Sequence, residues 1–128
     1  GCIVNIASVV AYRGFPHMGI YSASKAAVKA FTEALRMELE KENISVILAS
    51  PGKTATSFPD YAIYEGQEKY QHTDKKGMDP QAVAKSIIKA IRKNRKEIVL
   101  SIEGKVVTIF NRFAPFLLDN LIRFARKK

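Results

Sequence analysis

The sequence predicts an α/β fold built on a parallel sheet, on three observations. Two apolar runs rich in β-branched residues, 2–8 and 44–50, are separated by one long amphipathic stretch. A second amphipathic stretch, 78–94, leads into a third such run at 97–101.

Each element has its own justification. "CIVNIAS", 2–8, alternates little and is mostly apolar, as a strand buried on both faces of a parallel sheet is. "VVAYRGFPHMG" is broken by Gly14, Pro16 and Gly19 and is expected to be a loop. From about 20 to 41 the spacing predicts a helix with Ala23, Ala27, Ala30, Phe31, Ala34 and Leu35 on its inward face. Lys29, Glu33, Arg36 and Glu40 lie opposite, and Asn43 suits the stop. "ISVILAS" is the second strand and ends at Pro51 and Gly52, completing a βαβ unit. Residues 53–77, polar and aromatic with Tyr61, Tyr64 and Tyr70, are expected to hold a short helix near 59–70 and to act as a lid over a site. "MDPQAVAKSIIKAIRKN" is a helix with Asp79 as N-cap, Pro80 at its first position and Val83, Ile87, Ile88 and Ile91 inward. "EIVLS" is the third strand. The remainder, 104–128, is expected to be two helices meeting at Pro115, an apolar and basic extension of the domain formed by 1–103.

Composition narrows the function classes. A chain of 128 residues with 47% apolar content holds one domain with a core. It opens on a β-type run with no Met and no basic leader, so it is expected to begin inside a fold. The single Cys2 forms no internal disulfide, which makes a cytoplasmic setting the default. No run reaches the roughly 18 apolar residues of a membrane span, and no metal site is expected. The net charge of +9 is concentrated at Lys85, Lys89, Arg92, Lys93, Arg95 and Lys96, and again at Arg123, Arg126, Lys127 and Lys128. A solvated helix face and a basic tail are the plain reading, an anionic membrane surface the next. Nucleic acid is disfavoured, because no stacking aromatics interleave these cations.

The chemistry lies at the strand ends, where open α/β sheets bind their ligands. Ser8 ends the first strand, "SPGKTAT" ends the second, and the intervening helix starts beside them with "YSASK". Tyr21 and Lys25, at i and i+4, share a helix face and lean toward its N-terminus. A phenol ionises near pH 10, too high for efficient proton exchange at neutral pH; a neighbouring cation favours the phenolate. Ser8 can hydrogen-bond the same reacting oxygen as its charge changes. These groups supply no hydride, so a cofactor must. Taken singly, Tyr21 is a buried phenol, Lys25 a helix lysine, Ser8 a cap and Pro51 with Gly52 a turn; the specificity lies in their joint order.

That order resembles the catalytic half of the short-chain dehydrogenase/reductase family over residues 1–56. Ser8 stands thirteen residues before the Tyr of a Tyr-x-x-x-Lys motif, and Pro51 and Gly52 are followed by Thr56. The resemblance implies a partial Rossmann-like doubly wound parallel sheet, its last three strands with their helices. It implies an oxidoreductase that interconverts an alcohol and a carbonyl with NAD or NADP. In that family's scheme Tyr21 is the general acid/base, Ser8 polarises the substrate oxygen, and Lys25 tunes Tyr21 and binds the nicotinamide ribose. Pro51, Gly52, the backbone at Thr54 and the Thr56 hydroxyl hold the nicotinamide and its phosphate. Thr54 departs from the usual apolar residue. The glycine-rich loop, the dinucleotide-selecting residue, the "NNAG" segment and the catalytic Asn would precede such a strand and are not among these residues. A chain limited to them is expected to be inactive alone.

Two further expectations concern partners. The substrate is a small alcohol or carbonyl compound, apolar or lipid-like, facing Phe15, His17 and Met18 with Tyr61 and Tyr64, and the full-length form is a homo-oligomer. The competing reading is a non-catalytic binding module, or a peripheral membrane-docking one. It rests on "FNRFAPFLLDNLIRFARKK", where Phe113, Phe116, Leu117, Leu118, Leu121, Ile122 and Phe124 cover more than one helix face and cations end the run. Burial in a dimer or in the rest of the protein is the plainer account of the same residues.

Overall fold

The computed structural model describes residues 1–58 and 77–126. Three parallel strands lie in the order β1 (Cys2–Ile6), β2 (Ser45–Ser50), β3 (Glu97–Val99). The helices are α1 (Gly19–Glu38), α2 (Pro80–Arg92), α3 (Ile102–Phe113) and α4 (Pro115–Arg126), with short 3-10 turns at Val9–Ala11 and Glu40–Glu42. This is a partial Rossmann-like α/β sheet, as the sequence predicts. The helix expected near 59–70, with Tyr61, Tyr64 and Tyr70, lies outside the described residues.

β2 is the middle strand and forms the core: Val46, Ile47, Leu48, Ala49 and Ser50 are all buried. Its neighbours are less covered, β1 being half-buried at Ile3, Val4 and Asn5 and exposed at both ends. Between β1 and β2, α1 runs back across the sheet and stops at a 3-10 turn whose C-cap, Asn43, takes the left-handed φ of 53°.

The inward face of α1 is not the alanine face. Ser22 and Thr32 are buried and Ala34 and Leu35 half-buried, whereas Ala23, Ala27, Ala30 and Phe31 are exposed, Phe31 to 61%. Thr32 and Arg36, turned toward the sheet, find hydrogen-bond partners there, whereas the buried Ser22 hydroxyl has none among the described residues. Thr32 Oγ1 accepts from Asn5 Nδ2 at 3.0 Å and donates to the Val28 carbonyl at 2.6 Å. Arg36 donates to the Val46 carbonyl at 3.0 Å and the Lys96 carbonyl at 2.7 Å, spanning from α1 to the start of β3. Hydrogen bonding, rather than the most apolar stripe, sets the rotation of this helix.

The later helices begin where their caps predict. Asp79 accepts from the Gln81 and Ala82 amides at 3.1 and 3.2 Å, and Pro80 opens α2. α2 turns Val83, Ile87 and Ala90 inward but leaves Ile88 and Ile91 exposed, a rotation from the expected face. Ser101 caps α3 by accepting from the Gly104 amide at 3.0 Å. Gly104 is buried so closely that a Cβ there would stand 2.4 Å from Val9 Cγ2. Arg13 ties the α3–α4 pair to the β1–α1 loop through Asn111 and an ion pair with Asp119. Pro115 opens α4, as a first-turn proline should.

Candidate active site

The sheet register aligns the two strand ends. Ile6 pairs with Ala49, and past that pair the Ala7 amide donates to the Ala49 carbonyl at 2.8 Å. The Val9 amide then donates to the Pro51 carbonyl at 3.2 Å, which holds Ser8 against the end of β2. Ser8 caps the 3-10 turn, its Oγ accepting from the Val10 amide at 3.5 Å.

From the other side, α1 brings its first two turns to the same edge. Lys25 Nζ donates to the carbonyl of Ile6, the last residue of β1, at 3.3 Å and lies 5.8 Å from the centroid of the Tyr21 ring. The i, i+4 spacing thus places cation and phenol together at the strand end. Tyr21 is half-buried, and its ring meets Phe58 at 5.9 Å between centroids, tilted by 45°. Sequence reasoning passed over Phe58, because nothing in its spacing ties it to Tyr21; the turn beyond Pro51 does.

That turn is built by the segment that returns at Met78. The Met78 amide donates to the Lys53 carbonyl at 2.8 Å, and the Ala55 amide to the Met78 carbonyl at 3.0 Å. Thr54 Oγ1 donates to the Gly52 carbonyl at 3.1 Å, and Thr56 Oγ1 accepts from the Phe58 amide at 3.4 Å. Gly52 stands where a Cβ would meet Ser101 Oγ at 2.7 Å and Ser101 Cβ at 2.8 Å. So Ser8, Tyr21, Lys25, Pro51, Gly52, Thr54 and Thr56 all gather at one edge. Phe15 is half-buried on the preceding loop, His17 is exposed at φ 64°, and Met18 is the N-cap of α1. Tyr61 and Tyr64 fall outside the described residues.

A second phenol, also passed over in the sequence, has a different environment. Tyr12 Oη donates to Glu97 and lies 3.2 Å from Ser50 Oγ, a buried hydroxyl at the end of β2. Burial, and then the bond to Glu97, hold this phenol well above its ordinary value, so it stays protonated. It links the end of β2 to the start of β3. Tyr12→Phe leaves Ser50 without that partner and should lower unfolding stability in urea by about 1–2 kcal/mol. A raised phenol stabilises fully below about pH 10 and loses that contribution as pH rises further, a slope that Tyr12→Phe should flatten.

Known proteins resemble this chain in sequence and fold. The family model described as short chain dehydrogenase matches residues 1–63. A dehydrogenase/reductase SDR family protein 7-like from Anopheles gambiae is 40% identical over 104 residues, covering 79% of this chain and 33% of that protein. The 3-ketodihydrosphingosine reductase of Bacteroides thetaiotaomicron is 29% identical, covering 98% of this chain and 52% of its own length. The chain therefore spans between a third and about half of these relatives. A short chain dehydrogenase/reductase from Burkholderia phymatum, solved in complex with NAD, superposes with a TM-score of 0.68 at 29% identity, over 77% of this chain and 42% of that one. The family match begins at β1 and includes Ser8, Tyr21, Lys25 and the Pro51–Gly52 turn. The chain belongs to the short-chain dehydrogenase/reductase family.

Proposed function

We propose that the whole protein interconverts an alcohol and a carbonyl compound with NAD or NADP, using the sheet edge just described. The observation that most supports this is the convergence of Ser8, Tyr21 and Lys25 beside the Pro51–Gly52 turn. The donor set suits a nicotinamide dinucleotide. Lys25 would bind its ribose, the Thr56 hydroxyl its phosphate, and the backbone of Pro51, Gly52 and Thr54 its carboxamide. When bound, that group supplies hydride to a carbonyl carbon or takes it from an alcohol carbon.

The chain's own residues manage the proton. In reduction the Tyr21 hydroxyl gives its proton to the substrate oxygen; in oxidation the phenolate takes it back. Lys25, placed beside the ring, offsets the negative charge left on Tyr21. Ser8 donates a hydrogen bond to the same substrate oxygen and orients it. Phe58, against the Tyr21 ring, adds an apolar wall. An apolar or lipid-like substrate accords with that wall and with the name of the Bacteroides relative. The homo-oligomer in this proposal would use the outer face of α1, where Ile20, Phe31 and Met37 are exposed. Among the described residues no helix is long and apolar enough to cross a membrane; the cytoplasmic setting is part of the proposal.

Following nicotinamide absorbance, the whole protein should turn over carbonyl compounds with one reduced dinucleotide, and long-chain ketones best. Absence of turnover with both dinucleotides across a panel of ketones and alcohols would remove the reading. The 128-residue chain alone should neither bind dinucleotide tightly nor turn over; turnover by it would remove that part.

A further inference from the structure

The α3–α4 pair has a face that the oxidoreductase reading does not use. On α3, Ile102, Val106, Ile109 and Phe113 follow one another at helical spacing and are exposed, Ile102 and Phe113 to 77%. The opposite side of α3 is fixed inward by Gly104 against Val9 and Val99 and by Asn111 at Arg13. α4 is arranged alike: Leu118 is buried and Asp119 is engaged by Arg13, while Phe116, at 82%, Leu117 and Leu121 are exposed. Between the helices runs an apolar groove of about 510 Å³ lined by Phe110, Leu117, Asn120, Leu121 and Phe124. Exposed apolar side chains grouped on one face in this way mark an interaction surface.

Cations border it. Lys105, Arg112 and Arg123 are exposed, and the Arg112 guanidinium lies 5.6 Å from the Phe113 ring centroid. Over 102–126 the basic residues are Lys105, Arg112, Arg123 and Arg126, and the acidic ones Glu103 and Asp119; Lys127 and Lys128 follow. Asp119 is already paired with Arg13, which leaves Glu103 as the single acid of the pair outside an ion pair with that arginine. A second copy docking by this face about a two-fold axis would set the cationic border against itself. An anionic lipid surface meets both features at once. Its headgroups match the cations, and its acyl boundary takes up the Phe and Leu side chains.

We propose that the exposed face of α3 and α4 is a peripheral docking surface for an anionic bilayer. The whole protein should co-sediment with phosphatidylcholine vesicles containing phosphatidylserine, less with phosphatidylcholine alone, and less as salt is raised. Lys105→Gln with Arg123→Gln should weaken partitioning about 25-fold, at roughly fivefold for each cation removed. Phe116→Ser with Leu121→Ser should weaken it about a hundredfold while leaving Tm unchanged, because both side chains are exposed. Failure of the unmodified protein to bind phosphatidylserine vesicles, or equal binding by the variants, overturns the proposal. So does a fall in Tm for the Ser variant without vesicles, which would mean that another part of the protein covers the face. A shift of that variant from dimer to monomer in light scattering, without vesicle binding by the unmodified protein, would reassign the face to a second copy.

Discussion

Tyr21→Phe in the whole protein should lower kcat about a thousandfold and leave the dinucleotide Kd within about threefold. The substitution removes one oxygen and its proton. The ring remains, and with it the contact to Phe58 at 5.9 Å and the neighbouring Lys25 ammonium, so neither α1 nor the turn beyond Pro51 has cause to move. What is lost is the group that exchanges a proton with the substrate oxygen; water replaces it poorly, because it is not held in place. The split between kcat and Kd is the diagnostic reading. A structural phenol would change both or neither, whereas a proton carrier changes turnover alone. Tyr12→Phe is the matched control, since that phenol is engaged by Glu97 and Ser50 and should change stability without changing turnover. Near-normal turnover by Tyr21→Phe across alcohols and ketones would sink the assignment.

The two phenols also mark how much of the site was legible in the chain. That Ser8 and the Pro51–Gly52 turn lie at one edge could be read from spacing, because β1 and β2 pair in register and the residues ending the two runs must meet; the start of α1 brings Tyr21 and Lys25 beside them. The caps of α2 and the proline that opens α4 were equally local and came out as expected. The rotation of α1 was not legible. Hydropathy selects the face with Ala23, Ala27, Ala30, Phe31, Ala34 and Leu35, but Thr32 bonds to Asn5 from 27 residues away, and Arg36 reaches the backbone of β2 and of Lys96, just before β3. No local pattern encodes partners so distant, and it is these bonds that turn the helix. Phe58 and Tyr12 escaped for the same reason, their neighbours being set by tertiary contacts to α1 and to β3. Polar side chains thus decided the packing in the places where apolar spacing misjudged it.

Gly52 shows how a motif residue can answer to the fold. A methyl group at Gly52 would point into Ser101, 2.7 Å from its Oγ and 2.8 Å from its Cβ. The obstacle is therefore contact with the N-cap of α3. Gly52→Ala should destabilise the protein by about 1–3 kcal/mol, either moving the Pro51–Gly52 turn or prising Ser101 from the Gly104 amide. It should also weaken dinucleotide binding, since the turn moves with it. Ser101→Gly removes both obstructing atoms and, as a cap replacement, costs only about a few tenths of a kcal/mol. Combining the two should restore stability to within about 0.5 kcal/mol of Ser101→Gly alone, a coupling expected of side chains in direct contact. Dinucleotide affinity should return with it to within about twofold, because the added methyl faces α3 and leaves the turn's backbone free to approach a ligand. A double variant as stable as Ser101→Gly but binding dinucleotide about tenfold more weakly would show the opposite: that the ligand itself excludes a side chain at this position.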